Sequence, residues 1–189
     1  MRPLSSRWSD LFLCRVVGLH LAVPAALALG VALRRVTSDP FVVPTVQLPV
    51  APQQVAAAAL TLCVGWMLVD EWPVIVRTTP TRVAAIAGLR WGATHAVAVG
   101  SAAIAVAGVR HYDAVPMASL MCSSAALVSV VARQAWWIPP LLLGYLLLRI
   151  NGLVDPQNPV AHDLALPTLI GLVSITLYVG ATVRRAAPG

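Results

Sequence analysis

Apolar residues run along this chain in long charge-free intervals, separated by short clusters that carry arginine, proline and the few acids. The intervals Val16–Leu33, Trp91–Val109, Ala114–Ala132 and Leu164–Val183 each meet an arginine at one edge or both. Each holds close to the ~20 apolar residues a helix needs to cross a hydrocarbon core. Another uncharged stretch, Pro40–Val69, opens with Pro40, Pro44, Pro49 and Pro52, so its helix is expected from about Gln53. A further segment, Gln134–Leu148, is short for a span, and Pro139–Pro140 is expected to break its first half. Arg149 can snorkel outward and let that helix extend. The pattern therefore predicts an all-α polytopic membrane protein with spans at about 16–33, 53–70, 91–109, 114–132, 134–150 and 164–183. A re-entrant fifth element would make five spans; six is the preferred count.

Ahead of the first span, Trp8, Leu11 and Phe12 fall at helical spacing on one face of Ser5–Cys14, with Arg7 and Asp10 toward the other. Residues 1–15 are accordingly expected to form an interfacial amphipathic helix, and 16–189 a single transmembrane domain. The alternative is a frayed terminus with a Trp anchor. Arg15 at the edge of the first apolar run and His20 within it argue for a retained span over a cleaved signal peptide.

Composition sharpens this reading. Of 189 residues, 59% are apolar and 11% charged, which excludes an ordinary water-soluble fold. All 13 basic residues are arginine, and without lysine the chain cannot be a P-loop ATPase. Cys14, Cys63 and Cys122 lie in or beside apolar runs and read as reduced packing residues. With six spans, one side receives nine arginines (Arg2, Arg7, Arg15, Arg77, Arg82, Arg90, Arg133, Arg184 and Arg185) and the other four. Both termini are therefore expected in the cytoplasm of a cell with the chain in its plasma membrane.

The stretch from Asp70 to Arg90 is too apolar for a plain solvent loop. Val83, Ile86 and Leu89 share one helical face, and Pro80 favours the first turn of a new helix. A bent, charged elbow at the membrane surface, followed by a helix from about Pro80 into the third span, suits the docking of a soluble partner. Gly92, Ala96 and Gly100 recur every fourth residue, a small-residue stripe that lets a second backbone approach, in the bundle or in a homodimer. Intramembrane His20 and His95 raise a bis-histidine haem or metal site, against the plainer reading of a neutral histidine bonded to another helix. The serines at 101, 119, 123, 124 and 129 lie in no GxSxG motif and read as packing residues.

Glu71, Thr79-Pro80-Thr81-Arg82 and Gly88 stand in an order that resembles the permeases of the type-2 ABC exporter class. In that class a Glu after the second span leads through a short amphipathic stretch and a small residue–Pro–x–Arg element into the third. Ala135-Trp136-Trp137-Ile138-Pro139-Pro140 is similar to the aromatic-proline approach to the fifth span in small actinobacterial proteins grouped there. The Gly of the longer family loop is missing. The resemblance implies a permease subunit that is not itself an enzyme and holds no cofactor of its own. A separate nucleotide-binding subunit would bind ATP and grip Glu71, Arg77, Pro80 and Arg82. It also implies a homodimer or second membrane subunit, an apolar or amphipathic substrate, and no nucleic acid. Two alternatives stand beside it: a non-transporting immunity or assembly subunit that docks through the same loop, and a haem-binding anchor using His20 and His95.

Overall fold

The computed structural model describes residues 18–36, 41–42, 49–50, 55–69, 80–107, 114–151 and 165–186. Within them the fold is all-helical: α1 (Leu19–Arg35), α2 (Ala56–Val64), α3 (Pro80–Ala105), α4 (Ala114–Val131), α5 (Ile138–Asn151) and α6 (Ala165–Ala186). The connection between α1 and α2 holds one two-residue antiparallel pairing, Phe41 opposite Val50 and Val42 opposite Pro49. The expected interfacial helix over 1–15 lies outside the described residues.

α4 is the central rod, packed against α2, α3, α5 and α6. Its sequence explains the position: Ala118, Cys122, Ser123, Ala125, Ala126 and Ser129 are all buried, and such small side chains let neighbouring backbones come close. α3 lies beside it, packed against α1, α2, α4 and α6. α1 presents Ala22, Ala26 and Gly30, spaced one turn apart, as its buried face. A Cβ built on Gly30 would stand 2.8 Å from the Ser101 carbonyl oxygen of α3, so this is the point of closest approach of the two backbones. α1 begins at Gly18, whose φ of 80° is the left-handed conformation that glycine adopts without steric cost.

Two boundaries differ from expectation for local reasons, while the helix from Pro80 into the third span follows it. The helix that starts at Pro80 is continuous to Ala105, so the approach and the third span are one rod of 26 residues. The second helix is shorter than predicted: α2 tightens into a 3-10 turn over Gly65–Leu68, where Trp136 lies against Gly65. Pro139 and Pro140 do not break the fifth helix. They sit in the first turn of α5, where the missing amides would have no helical partner anyway. A separate 3-10 turn, Arg133–Ala135, precedes it.

The outer surface of the bundle is apolar. Large apolar side chains stand exposed on the outward faces: Leu21, Leu27 and Val31 on α1, Leu141, Leu142 and Leu146 on α5, and Leu169, Leu172, Val173 and Leu177 on α6. Beside a larger core of buried alanine, leucine, valine and methionine side chains, the interior also holds Thr61, Arg90, Thr94, His95, Ser101, Ser123, Ser129, Ser174 and Thr182. By length and composition two helical segments among the described residues are long and apolar enough to cross a membrane, Ala114–Val131 and Pro167–Arg185.

Candidate functional site

Glu71 and Arg77 of the predicted elbow lie outside the described residues. Pro80 and Arg82 lie in the first turn of α3. The two flanks of the elbow, Val69 and α3, are thereby fixed, and the structure shows how they are tied together.

Where α2 ends, its last carbonyls need donors, because no further helical amide reaches them. Two buried side chains from other helices supply these. Tyr178 of α6 donates its hydroxyl to the Leu68 carbonyl at 2.8 Å. Arg90 of α3, only 2% exposed, donates from Nη1 to the Val69 carbonyl at 3.1 Å. Leu68 packs with Ala87, Ala125, Ala126 and Tyr178 in one apolar cluster, so α3, α4 and α6 all meet the end of α2. At the neighbouring end of α4, Arg185 of α6 donates to the Val130 carbonyl in the same manner. Side chains of α3 and α6 thus clamp three helix-end carbonyls. A guanidinium suits this role because it is always charged and presents several donors in a fixed fork.

A polar hub lies further along α3. Trp91 Nε1–H donates to Ser174 Oγ at 2.9 Å, and Ser174 donates to its own helix at Gly171 O. The His95 ring stacks on the Trp91 indole with centroids 3.8 Å apart. Its Nδ1 lies 2.9 Å from the Trp91 carbonyl and its Nε2 3.0 Å from Ser123 Oγ. A carbonyl only accepts, so the neutral ring carries its hydrogen on Nδ1 and accepts at Nε2 from the Ser123 hydroxyl. Thr94 donates back to Arg90 O at 2.8 Å, which joins hub and clamp along α3. On the opposite side of α4, Thr61 Oγ1 and Cys122 Sγ are 3.7 Å apart.

A hydroxyl against an imidazole is the geometry of a nucleophile and its base. Acyl transfer also needs a place for the substrate carbonyl and donors for its oxyanion. Ser123 is fully buried in the middle of α4, where the backbone amides serve the helix, so the pair reads as interhelical bonding. The bis-histidine arrangement is not assembled: His20 is exposed on α1, while both ring nitrogens of His95 are already bonded. Among the described residues no group of three or more metal-binding side chains gathers.

The predicted stripe faces outward. Gly92 and Gly100 have open space where a Cβ would stand, and Ala96 is exposed, so the stripe makes no close packing among the described residues. The close approaches fall elsewhere, at Gly30 against Ser101 and Gly65 against Trp136. The roles of Tyr178, Ser174 and Trp91 were missed in the sequence. A tyrosine inside an otherwise apolar window is the one signal that could have marked the first, since a buried phenol seeks a partner for its hydroxyl.

No family model, characterised protein or solved structure matches this chain.

Proposed function

We propose that the chain is a multi-pass plasma-membrane protein whose six helices form the transmembrane domain of an ABC-type export permease. Its cytoplasmic 70–90 elbow would be held by a separate ATPase subunit. The observation that carries the membrane assignment is the apolar outer surface: leucine and valine line the outside of α1, α5 and α6 although a separate apolar core already fills the bundle. Lipid is the medium in which this distribution costs least, because it solvates the outer side chains while the bundle pairs most of the inner polar ones. The short α2 and α5 pack against α4 and each other, and protein neighbours can shelter the helix ends that fall short of the bilayer surface.

The coupling role is supported by the sequence resemblance at Glu71 and Thr79–Arg82 and by the clamp. An element that receives force from a partner must be fixed to the helices it moves. Tyr178 and Arg90 fix the chain where it leaves α2 for the elbow. The cargo on this reading is apolar or amphipathic, in keeping with a described interior that is mainly apolar.

Affinity purification of the tagged chain from its native membrane in mild detergent tests the reading. A co-purifying subunit with a P-loop is expected, and Arg82→Glu should reduce its recovery about tenfold or more by reversing a charge at the contact. Recovery of a different complex without a nucleotide-binding subunit would point to the non-transporting alternative. Unchanged recovery in Arg82→Glu would remove that residue from the interface.

A further inference from the structure

An ionisable side chain inside a helical bundle is costly to keep and calls for a role. The His95 ring is buried where α3, α4 and α6 meet, with 8% of the residue open to the surroundings. The groups around it are of one kind. Nδ1 meets the Trp91 carbonyl, Nε2 meets Ser123 Oγ, and the Ser119 carbonyl also lies within hydrogen-bonding reach of the ring. The face of the ring rests on the Trp91 indole.

Each of these can accept from, or attract, an imidazolium. A carbonyl accepts, a hydroxyl oxygen accepts once its hydrogen turns away, and an indole face attracts a cation. The other ionisable groups on the packed helices are engaged or remote. On α3, Arg90 places Nη1 on the Val69 carbonyl, and on α6 the Tyr178 hydroxyl is on the Leu68 carbonyl. Cys122 of α4 contacts Thr61, and Cys63 of α2 is half-buried. The other arginines whose side chains are described, Arg34 and Arg35 of α1, Arg133 before α5, and Arg184 and Arg185 of α6, are exposed at or beside helix ends, as is His20 at the start of α1. Among the described residues the partners of the ring are dipoles and an aromatic face.

We propose that His95 is a proton-binding site of the bundle, held between the Trp91 carbonyl and Ser123. Loading it converts Nε2 from acceptor to donor. The Ser123 hydroxyl must then turn its hydrogen away and accept, and the Ser119 carbonyl becomes a second acceptor for the new N–H. One proton adds to Nε2 and no other bond forms or breaks. The direction of the α3–α4 hydrogen bond reverses, so helix contacts at the hub become linked to proton activity. This inference does not rest on the ATPase reading, and it is tested on the isolated chain.

Protonated imidazole quenches a stacked indole, so Trp91 reports the event. The purified full-length chain in detergent is titrated from about pH 8 to about pH 4.5 while tryptophan emission and far-UV circular dichroism are recorded together. The wild type should show a reversible sigmoidal loss of emission at constant helicity. That component should be lost in His95→Gln and in Trp91→Phe and retained in His20→Gln. A wild type without the component, or its persistence in His95→Gln, would overturn the proposal. Should the variants fail to fold, nitrogen resonances of ring-15N histidine in the wild type decide the matter. A buried ring that passes from the neutral to the doubly protonated pattern while the bundle stays folded supports the site. One that stays neutral until the bundle unfolds overturns it.

Discussion

Tyr178→Ala is expected to lower the stability of the folded bundle by about 3–5 kcal/mol, more than any other single truncation in α6. Two effects add. The phenol ring is 2% exposed and packs with Leu68, Ala87, Ala125 and Ala126, so its removal leaves a cavity that surrounding helices fill only in part. Its hydroxyl also satisfies the Leu68 carbonyl, which no helical amide can reach at that point of the chain. Tyr178→Phe separates the two. It keeps the ring and abandons only the carbonyl, so its cost should be about 1–2 kcal/mol. Thermal unfolding in detergent, followed by circular dichroism on both variants, checks the ordering. Equal losses for Phe and Ala would mean that the hydrogen bond, not the packing, dominates.

Gly30→Val is the second large effect, with an expected cost of about 3 kcal/mol. Any Cβ at this position meets the Ser101 carbonyl oxygen at 2.8 Å. That atom belongs to the backbone of α3, so it cannot swing aside as a side chain would. The helices must separate, and in doing so they loosen the contacts of Ala22 and Ala26 on the same face of α1. Gly100→Ala offers the contrast. Its Cβ enters open space and removes a glycine from a helix interior, so stability should hold or rise slightly. A melting temperature that falls for Gly100→Ala as far as for Gly30→Val would contradict the packing described.

These two positions show what the sequence made legible and what it did not. Arginines and acids at the edges of apolar runs mark helix ends because charge is costly in the interior, and α1, α4 and α6 follow those edges closely, whereas α3 runs on through Arg90, whose guanidinium is buried on the Val69 carbonyl. Pro80 was readable as a helix start because its ring suits the first turn. The same rule, applied to Pro139 and Pro140, would have placed the start of α5 there. Reading them as a mid-helix break depended on beginning the helix at Gln134, where the chain instead forms a 3-10 turn.

The clamp was beyond reach because its partners are remote in sequence: Tyr178 and Leu68 are 110 residues apart, and Arg90 and Val69 are 21 apart. Periodicity reports which face of a helix is apolar, not which helix lies against it. The small-residue stripe at Gly92, Ala96 and Gly100 illustrates the same limit. Its spacing permits a close approach, yet the neighbours of α3 lie on its other faces. His95 was singled out as an intramembrane ionisable group, and the plainer reading of an interhelical bond is the one its geometry fits, with Ser123 as the partner.

On the proposed function, a membrane-embedded bundle presents the 70–79 elbow, which follows the clamped Val69 carbonyl in the chain, to the cell interior. Labelling with a membrane-impermeant maleimide tests it most directly, using Thr78→Cys and His111→Cys in a background where Cys14, Cys63 and Cys122 are replaced by alanine. His111→Cys should react in intact cells, and Thr78→Cys only after the membrane is opened. Reaction of Thr78→Cys in intact cells would contradict the account.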